Sequence, residues 1–210
     1  MGNRLSQFLW LAVSIILLYG CKHSSLKPAA YVKWIENKEN KLKVEKKIGE
    51  TKFILQYKPI PYMVFQEEKN LELDKSHFSK RAEELSEMQY YSLRILPSER
   101  NRDVLTVGIN SEQEYFDRVN YFSFNFQNDI KLLDGEDTLY CTQFQFVNNY
   151  GLAPYADFVI AFKKQPEEIR LEKTLADKKF IIEDKVFGNG MVKFNIEKDI
   201  VNNIPSVLIN

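Results

Sequence analysis

Two cysteines carry the most distinctive chemistry in this chain, and they stand in different sequence contexts. Cys21 follows a segment with one basic residue, Arg4, no acid, and an apolar run over residues 8–18. That run is too short to span the ~30 Å core of a bilayer, but it has the length of the hydrophobic region of an export signal. We therefore interpret the first segment as a leader and exclude it from the fold. Cys141 lies far downstream, in the body of the chain.

The four residues that end in Cys21 resemble the lipobox of bacterial lipoprotein precursors. Leu18 and Gly20 match its pattern, whereas Tyr19 stands where a small or aliphatic residue is usual. The resemblance implies that residues 1–20 are a signal peptide, that the Cys21 thiol carries a diacylglycerol, and that the mature chain begins there, often with an acylated amino group. An ordinary secretory signal with a chance cysteine, or an uncleaved membrane helix, is the alternative.

The residue after the lipidated cysteine bears on which membrane the anchor reaches. In enteric lipoproteins an aspartate there holds the protein in the inner membrane, whereas this chain has Lys22. Surface display in Bacteroidota-like lipoproteins favours an acidic run, and residues 22–27 contain no acid. The resemblance therefore implies the outer membrane, periplasmic face, with the inner membrane and the cell surface as alternatives. The membrane is thus the first predicted partner, through the N-terminal lipid.

A short polar stretch separates the predicted anchor from the body. Residues 21–30 include Ser24, Ser25 and Pro28 and little apolar content, which is typical of a flexible tether in which nothing packs. His23 lies within it and is interpreted as exposed spacer. Residues 31–210 are long enough for a single soluble domain with a hydrophobic core.

The body lacks the residue sets of common hydrolases and zinc sites. It has no Gly-x-Ser-x-Gly string, which the strained nucleophile turn of serine hydrolases requires. A cysteine nucleophile needs a nearby histidine, and a zinc site needs three or four converging ligands. The body has one histidine, His77, and one cysteine, Cys141, which are too few for a usual zinc site. We interpret His77 as a surface residue at a helix start and Cys141 as a small buried hydrophobe. No cofactor and no metal site is predicted.

Carboxylates are the next candidates for binding or catalysis. Residues 134–137 offer oxygen ligands for calcium, but turn chemistry favours a polar hairpin turn at Asp134-Gly135. A glycosidase needs two carboxylates placed by the fold, and 29 acids give no basis for choosing a pair. The catalytic residues are therefore left unassigned.

Aromatic residues could bind sugars or peptides by stacking. Tyr140, Phe144 and Phe146 share one face of a predicted strand, and a shared face is first of all a core face. On this interpretation Cys141 lies on the opposite face of the same strand. The less regular run at residues 122–126 is the better candidate for an exposed patch.

Composition and charge limit the partners of the body. The chain is 44% hydrophobic and 13% aromatic, which is typical of a folded globular protein. Lys plus Arg equals Asp plus Glu at 29 each, so the chain shows no overall basic excess. Nucleic-acid binding normally requires such an excess on one face, and we set nucleic acid aside. An envelope protein stays open as a partner.

Periodic apolar residues predict the elements that would position any site. In the first half, residues 53–57, 91–95 and 105–109 alternate as half-buried strands do. Two helices are indicated, one after Ser76 and one after Ser111, whose Glu114 three residues on is a capping-box signal. Residues 31–37 could form a further short helix.

The second half of the chain is rich in strand-like runs with turn residues between them. The predicted strands are residues 130–133, 138–147, 157–162, 169–171, 180–182 and 191–196. The sequence therefore predicts an α+β fold dominated by strands, with two helices in the first half and an antiparallel sandwich or meander in the C-terminal half.

These features favour a non-enzymatic, lipid-anchored binding or assembly module that faces the periplasm. The alternative is a lipoprotein hydrolase that acts on wall or glycan through an unassigned carboxylate pair. A structural lipoprotein that oligomerises through a strand edge is a third hypothesis. Residues 34–37 and 55–59 weakly resemble uncharacterised envelope lipoproteins of Bacteroidota-type bacteria, which implies no known activity.

Overall fold

The computed structural model describes residues 25–98, 103–147, 149 and 152–209. The predicted signal peptide, Cys21 and His23 lie outside these residues, as do most of the charged turn after Ser98 and part of the turn after Val147. The lipid anchor therefore stays a prediction. None of the helices in the described part of the chain has the length and hydropathy needed to cross a bilayer.

The fold is α+β and rich in strands, which confirms the predicted class. The described residues form six α-helices: α1 Pro28–Glu36, α2 Ile60–Glu68, α3 Lys75–Leu85, α4 Glu112–Asn120, α5 Pro166–Leu171 and α6 Lys198–Asn202. The strands are β1 Ser25–Leu26, β2 Lys43–Ile48, β3 Thr51–Lys58, β4 Met88–Pro97, β5 Ile130–Asp134, β6 Asp137–Tyr140, β7 Gln143–Val147, β8 Ala156–Lys163, β9 Lys178–Asp184, β10 Gly190–Ile196 and β11 Ser206–Val207.

Two antiparallel sheets pack as a sandwich. One sheet has the strand order β2-β3-β4-β8-β7 and the other has the order β10-β9-β5-β6. Alternating apolar residues of both sheets meet in one core, and the burial of their apolar surface is the main stabilising contribution. Members of this core include Phe53, Leu55, Tyr91, Leu93, Phe158, Ile160, Leu132, Phe180, Ile182, Val192 and Phe194.

A second, smaller core is built mainly by helices. Apolar residues of α6 and of the C-terminal segment pack against buried residues of α1, α2 and α3. Pro28 and Pro61 stand in the first turns of α1 and α2, where the missing N–H of proline costs no helical hydrogen bond. We call this part the helical layer; its buried residues are Tyr31, Ile35, Leu42, Tyr62, Val64, Phe65 and Phe78.

Several predicted elements agree with the structure because their signals are local. The alternating residues at 53–57 and 91–95 lie in β3 and β4, and the capping-box signal at Ser111 starts α4. The Ser111 side chain accepts a hydrogen bond from the Glu114 N–H at 3.2 Å. At the start of α3 the cap is Asp74, two residues before the predicted Ser76, and its carboxylate accepts from the His77 N–H at 3.0 Å.

The predicted flexible tether is wrong from Ser25 onward. Ser25–Leu26 pairs in parallel with Ser206–Val207, and α1 begins at Pro28. Leu26 packs against the core of the helical layer. The partner strand lies at the far end of the chain, so local composition gave no sign of the pairing.

Two predicted strands are not strands. Residues 105–108 form turns and Ile109 is in no regular element. Arg118 donates hydrogen bonds to the carbonyl oxygens of Val107 at 2.6 Å and Val104 at 3.2 Å, so these acceptors are satisfied without a neighbouring strand. Residues 169–171 end helix α5, whose first position is Pro166 and whose first turn holds acidic residues. Both features favour a helix start.

The predicted strand at 138–147 is divided between the two sheets. β6 belongs to the four-stranded sheet and β7 to the five-stranded sheet, and the chain crosses between them at Cys141 and Thr142. Phe144 and Phe146 pack against the sandwich core as predicted. Tyr140 does not share their face, because it lies before the crossing and is 71% exposed.

The predicted exposed aromatic patch is largely buried. Residues 121–125 form a π-helical turn, which places Phe122 and Phe126 against the ring of Phe158 at centroid distances of 5.3 and 4.8 Å. Such edge-to-face packing stabilises cores beyond the burial of area alone. Phe124 is the exception and is 66% exposed.

Candidate functional site

A cavity of about 1060 Å³ lies between one end of the sandwich and the helical layer. Its volume is at the upper end of the ~300–1,000 Å³ range of ligand pockets. Strand residues Tyr57, Gln89 and Lys178 line it from the sandwich side. The helical side contributes residues of α2, α3 and α6, among them Ile60, Pro61, Ala82, Ser86 and Val201.

A buried ion network lies beside this cavity, and two of its members, Glu168 and Lys178, line it. The Lys178 ammonium donates to Asp134 Oδ2 at 2.5 Å and to Glu168 Oε1 and Oε2 at 3.0 and 2.9 Å. All three residues are 5% exposed or less. Asp134 ends β5 and is the register partner of Lys178 at the start of β9, so the sheet itself brings the two charges together.

Neighbouring groups complete the hydrogen bonding of the network. The Leu175 N–H donates to Glu168 Oε1 at 2.8 Å. Gln89 donates to Asp134 Oδ2 at 3.5 Å and accepts from the Tyr91 hydroxyl at 3.0 Å. A buried ion pair is tolerated when its members are satisfied in this way, because the attraction then offsets their desolvation.

Two other donors on the cavity wall keep unused hydrogen-bonding capacity. The Lys164 ammonium donates to the carbonyl oxygen of Ser86 at 2.8 Å, and we find no acceptor for its other protons among the described residues. Burial lowers the pKa of Lys164, and the nearby charge of Glu168 opposes that shift. The Tyr57 hydroxyl has no acceptor in the described part of the chain, and burial raises its pKa, so it stays a donor.

Asp134 and Glu168 converge on the ammonium of Lys178. The further donor capacity of Lys164 and Tyr57 on the cavity wall suits a ligand that carries acceptor oxygens.

The residues singled out in the sequence do not assemble into one site. His77 is at the surface and its Nε2 lies 3.2 Å from Glu68 Oε2. Gly135 has a positive φ of 62°, as expected for the predicted hairpin turn, and Asp134 belongs to the buried network. Within the residues that the structure describes, no group of three His, Cys, Asp or Glu side chains could hold a metal ion.

The residues that form the cavity wall were not predicted. Lys178 is 44 residues from Asp134 and 10 from Glu168 along the chain. The sequence signal was weak, because Asp134 directly follows the predicted strand at 130–133 and Lys178 stands two residues before the predicted strand at 180–182. The pairing of β5 with β9 is what brings the two residues together.

Cys141 lies at the crossing between the sheets and is half-buried. Its thiol donates to the carbonyl oxygen of Gln143 at 3.1 Å, and burial raises its pKa to about 11. The ordinary thiol pKa is about 8.5 and only the thiolate reacts. We expect maleimide labelling of Cys141 at pH 7 to be on the order of a hundredfold slower in the native chain than in urea.

The rate should rise with pH up to about 11. The same shift lowers stability above about pH 8.5, because the unfolded thiol then loses a proton that the folded thiol keeps. Peptide mapping after timed labelling measures the rate, and a Ser79→Cys variant in a Cys141→Ala background is the exposed control. Equal rates for the two cysteines would contradict the prediction.

No comparison with known proteins shows a family for this chain. No family model matches the chain, and no curated protein matches it. Among solved structures it is similar to a protein of unknown function from Burkholderia pseudomallei, with 14% identity, a TM-score of 0.38, and coverage of 89% of this chain and 97% of that chain. A DUF4426 family protein from Pseudomonas aeruginosa is 10% identical with a TM-score of 0.35, over 75% of this chain and 94% of that one. At these values the two likenesses say nothing about the activity of this chain.

Proposed function

We propose that this protein is a lipid-anchored binding module on the periplasmic face of the bacterial outer membrane, and that its ligand binds in the cavity between the sandwich and the helical layer. The observation that carries the proposal is the cavity itself, with two donors on its wall: the Lys164 ammonium, which has one acceptor among the described residues, and the Tyr57 hydroxyl, which has none there. The lipid anchor rests on the resemblance of residues 18–21 to a lipobox.

The pairing of Ser25–Leu26 with Ser206–Val207 would hold this cavity near the bilayer. The Ser25 and Ser206 hydroxyls lie 2.7 Å apart, and Ser206 lines the cavity. From Cys21 to Ser25 the chain reaches at most about 14 Å when fully extended, at ~3.6 Å per residue. A lipid on Cys21 would therefore keep the cavity close to the membrane surface.

Binding can be tested by blocking the cavity. Ala82 lines it from α3, so Ala82→Trp places a large ring inside, whereas Ser79→Trp adds the same ring to the exposed face of the same helix. We expect small molecules that copurify with the full chain from its own membranes to be at least tenfold depleted in Ala82→Trp. They should be unchanged in Ser79→Trp. Mass spectrometry of organic extracts, at equal amounts of folded protein, gives the measurement.

Two results would contradict the proposal. One is the absence of any small molecule enriched over a mock purification. The other is equal enrichment in both tryptophan variants, which would place binding elsewhere. A protein that copurifies equally with both variants would indicate that an envelope protein binds another surface.

A further inference from the structure

We propose that two copies of this chain associate through the free edge of β7, by antiparallel pairing of the two β7 strands about a two-fold axis at Gln145. This surface is separate from the cavity, because none of the described residues that line the cavity belongs to β7. β7 is the last strand of the five-stranded sheet, and within the described part of the chain it pairs with β8 alone. One side of its backbone is therefore open to a further strand.

The hydrogen bonds of β8 identify which groups of β7 are free. The Lys164 N–H donates to the carbonyl oxygen of Glu87 at 2.9 Å, so the even-numbered residues of β8 bond to β4. The odd-numbered residues of β8 then bond to β7, where their register partners are also odd-numbered. The N–H and C=O groups of Phe144 and Phe146 therefore face the free edge, and none of the described residues bonds to them.

Charge distinguishes β7 from the other edge strands of the two sheets. Residues 143–147 contain no charged residue and no proline, whereas edge strands are usually protected from pairing by such residues, above all by lysine. β2, at the opposite edge of the same sheet, has three lysines and one glutamate among its six residues. The edges of the four-stranded sheet carry Lys193 on β10 and Asp137 on β6. β7 is thus the edge that lacks protection.

The residues of β7 match a second copy of the same strand. Antiparallel pairing about Gln145 places Gln145 opposite its own copy and Phe144 opposite Phe146 of the second copy. The backbone groups of each Phe144–Phe146 pair both face the edge, so the two residues can exchange both hydrogen bonds. Cross-strand aromatic pairs stabilise a sheet, and no like charges meet. Gln145 is exposed on the other face, where the two amides can bond to each other.

Two-fold pairing also limits the assembly to a dimer. It uses the β7 edge of both copies, and a contact of this kind closes on itself. The joined sheet has five strands from each copy, and both of its ends are then β2 strands, whose lysines oppose further addition. Exposed apolar side chains flank the strand, as is typical of contact surfaces: Tyr140, Val147 and Leu152 are 71%, 43% and 91% exposed.

The first test places single cysteines at exposed positions of the full chain, in a Cys141→Ala background and in its own membranes. Gln145→Cys lies at the axis, where opposite Cα atoms are ~4.5–5.5 Å apart and within reach of a disulfide. Gln143→Cys is four positions from its own copy, roughly 14 Å away and out of reach. We expect Gln145→Cys to form the linked dimer about tenfold faster than Gln143→Cys or the control Asn195→Cys on β10. Coexpressed Gln143→Cys and Val147→Cys should link to each other.

The second test changes the charge at the axis. Gln145→Glu and Gln145→Lys each place like charges opposite each other, and we expect either change to raise the dissociation constant of the dimer by about tenfold or more. An equimolar mixture of the two should restore it within a few fold. Asn195→Asp adds a charge to the edge of the other sheet and should have no effect. Native mass spectrometry of the detergent-solubilised full chain over a concentration series gives the constants.

Three results would overturn the inference. One is a wild-type chain that is monomeric at every concentration and whose Gln145→Cys variant links no faster than Asn195→Cys. The second is equal linking of Gln143→Cys and Gln145→Cys, which would indicate another register. The third is a link from Gln145→Cys to a different protein in place of its own copy. None of these results affects the copurification test, so the proposed function stands or fails independently.

Discussion

Lys178→Met is expected to lower the free energy of unfolding by about 3–5 kcal/mol. The Lys178 ammonium is 2% exposed and contacts both Asp134 and Glu168. Its removal would leave two carboxylates buried side by side without a cation, which is far more costly than the loss of an exposed ion pair. Urea unfolding of the full chain, followed by circular dichroism, measures the change.

The matched control is Lys179→Met, which alters the exposed neighbour on the same strand and should stay within about 0.5 kcal/mol. Replacing all three charges at once, with Asp134→Leu and Glu168→Met added to Lys178→Met, should recover most of the lost stability, since no unpaired charge remains. A loss in Lys178→Met no larger than in the control would show that the network contributes nothing.

Cys21→Ala is expected to abolish lipidation of the protein. The proposed lipid is attached at Cys21, and each acyl chain contributes ~0.8 kcal/mol per buried CH₂, so the variant loses the anchoring free energy of two or three chains. The wild-type protein should partition into detergent and sediment with outer-membrane markers, whereas the variant should no longer sediment with those markers. The mass of the N-terminal peptide identifies the lipid directly.

Cys141→Ala is the control for this experiment, because it removes the other cysteine and should leave the anchor intact. Protease added to intact cells should leave the domain whole, and digestion should begin only after the outer membrane is permeabilised. An unmodified Cys21 in the wild type would refute the anchor. Cleavage in intact cells would refute the periplasmic orientation, and sedimentation with inner-membrane markers would refute the sorting.

The sequence predicted the parts of the fold that depend on neighbours along the chain. Alternation at Phe53 and Leu55 predicted β3, because period-two apolar residues need a strand to share one face. Ser111 and Glu114 predicted the start of α4, because the cap is a bond between residues three apart. Asp134-Gly135 predicted a hairpin turn in the same way.

Features that depend on distant pairing were missed or misplaced. The helix α2, which follows β3 directly and holds Pro61 in its first turn, was not predicted, since proline is found both after strands and at helix starts. The run at 138–147 looked continuous, yet its halves join different sheets. The cavity was missed for the same reason: Lys164 and Ala82 line it from different parts of the chain, which no local pattern records.

The pairing of Ser25–Leu26 with Ser206–Val207 has a consequence for the order of folding. Ser25 and Ser206 are 181 residues apart along the chain, so the first strand has no partner until Ser206–Val207 has been synthesised. Closing so long a loop is entropically costly and comes late in folding. On the proposal that Cys21 carries a lipid, Ser25–Leu26 would still be unpaired when the lipid is attached.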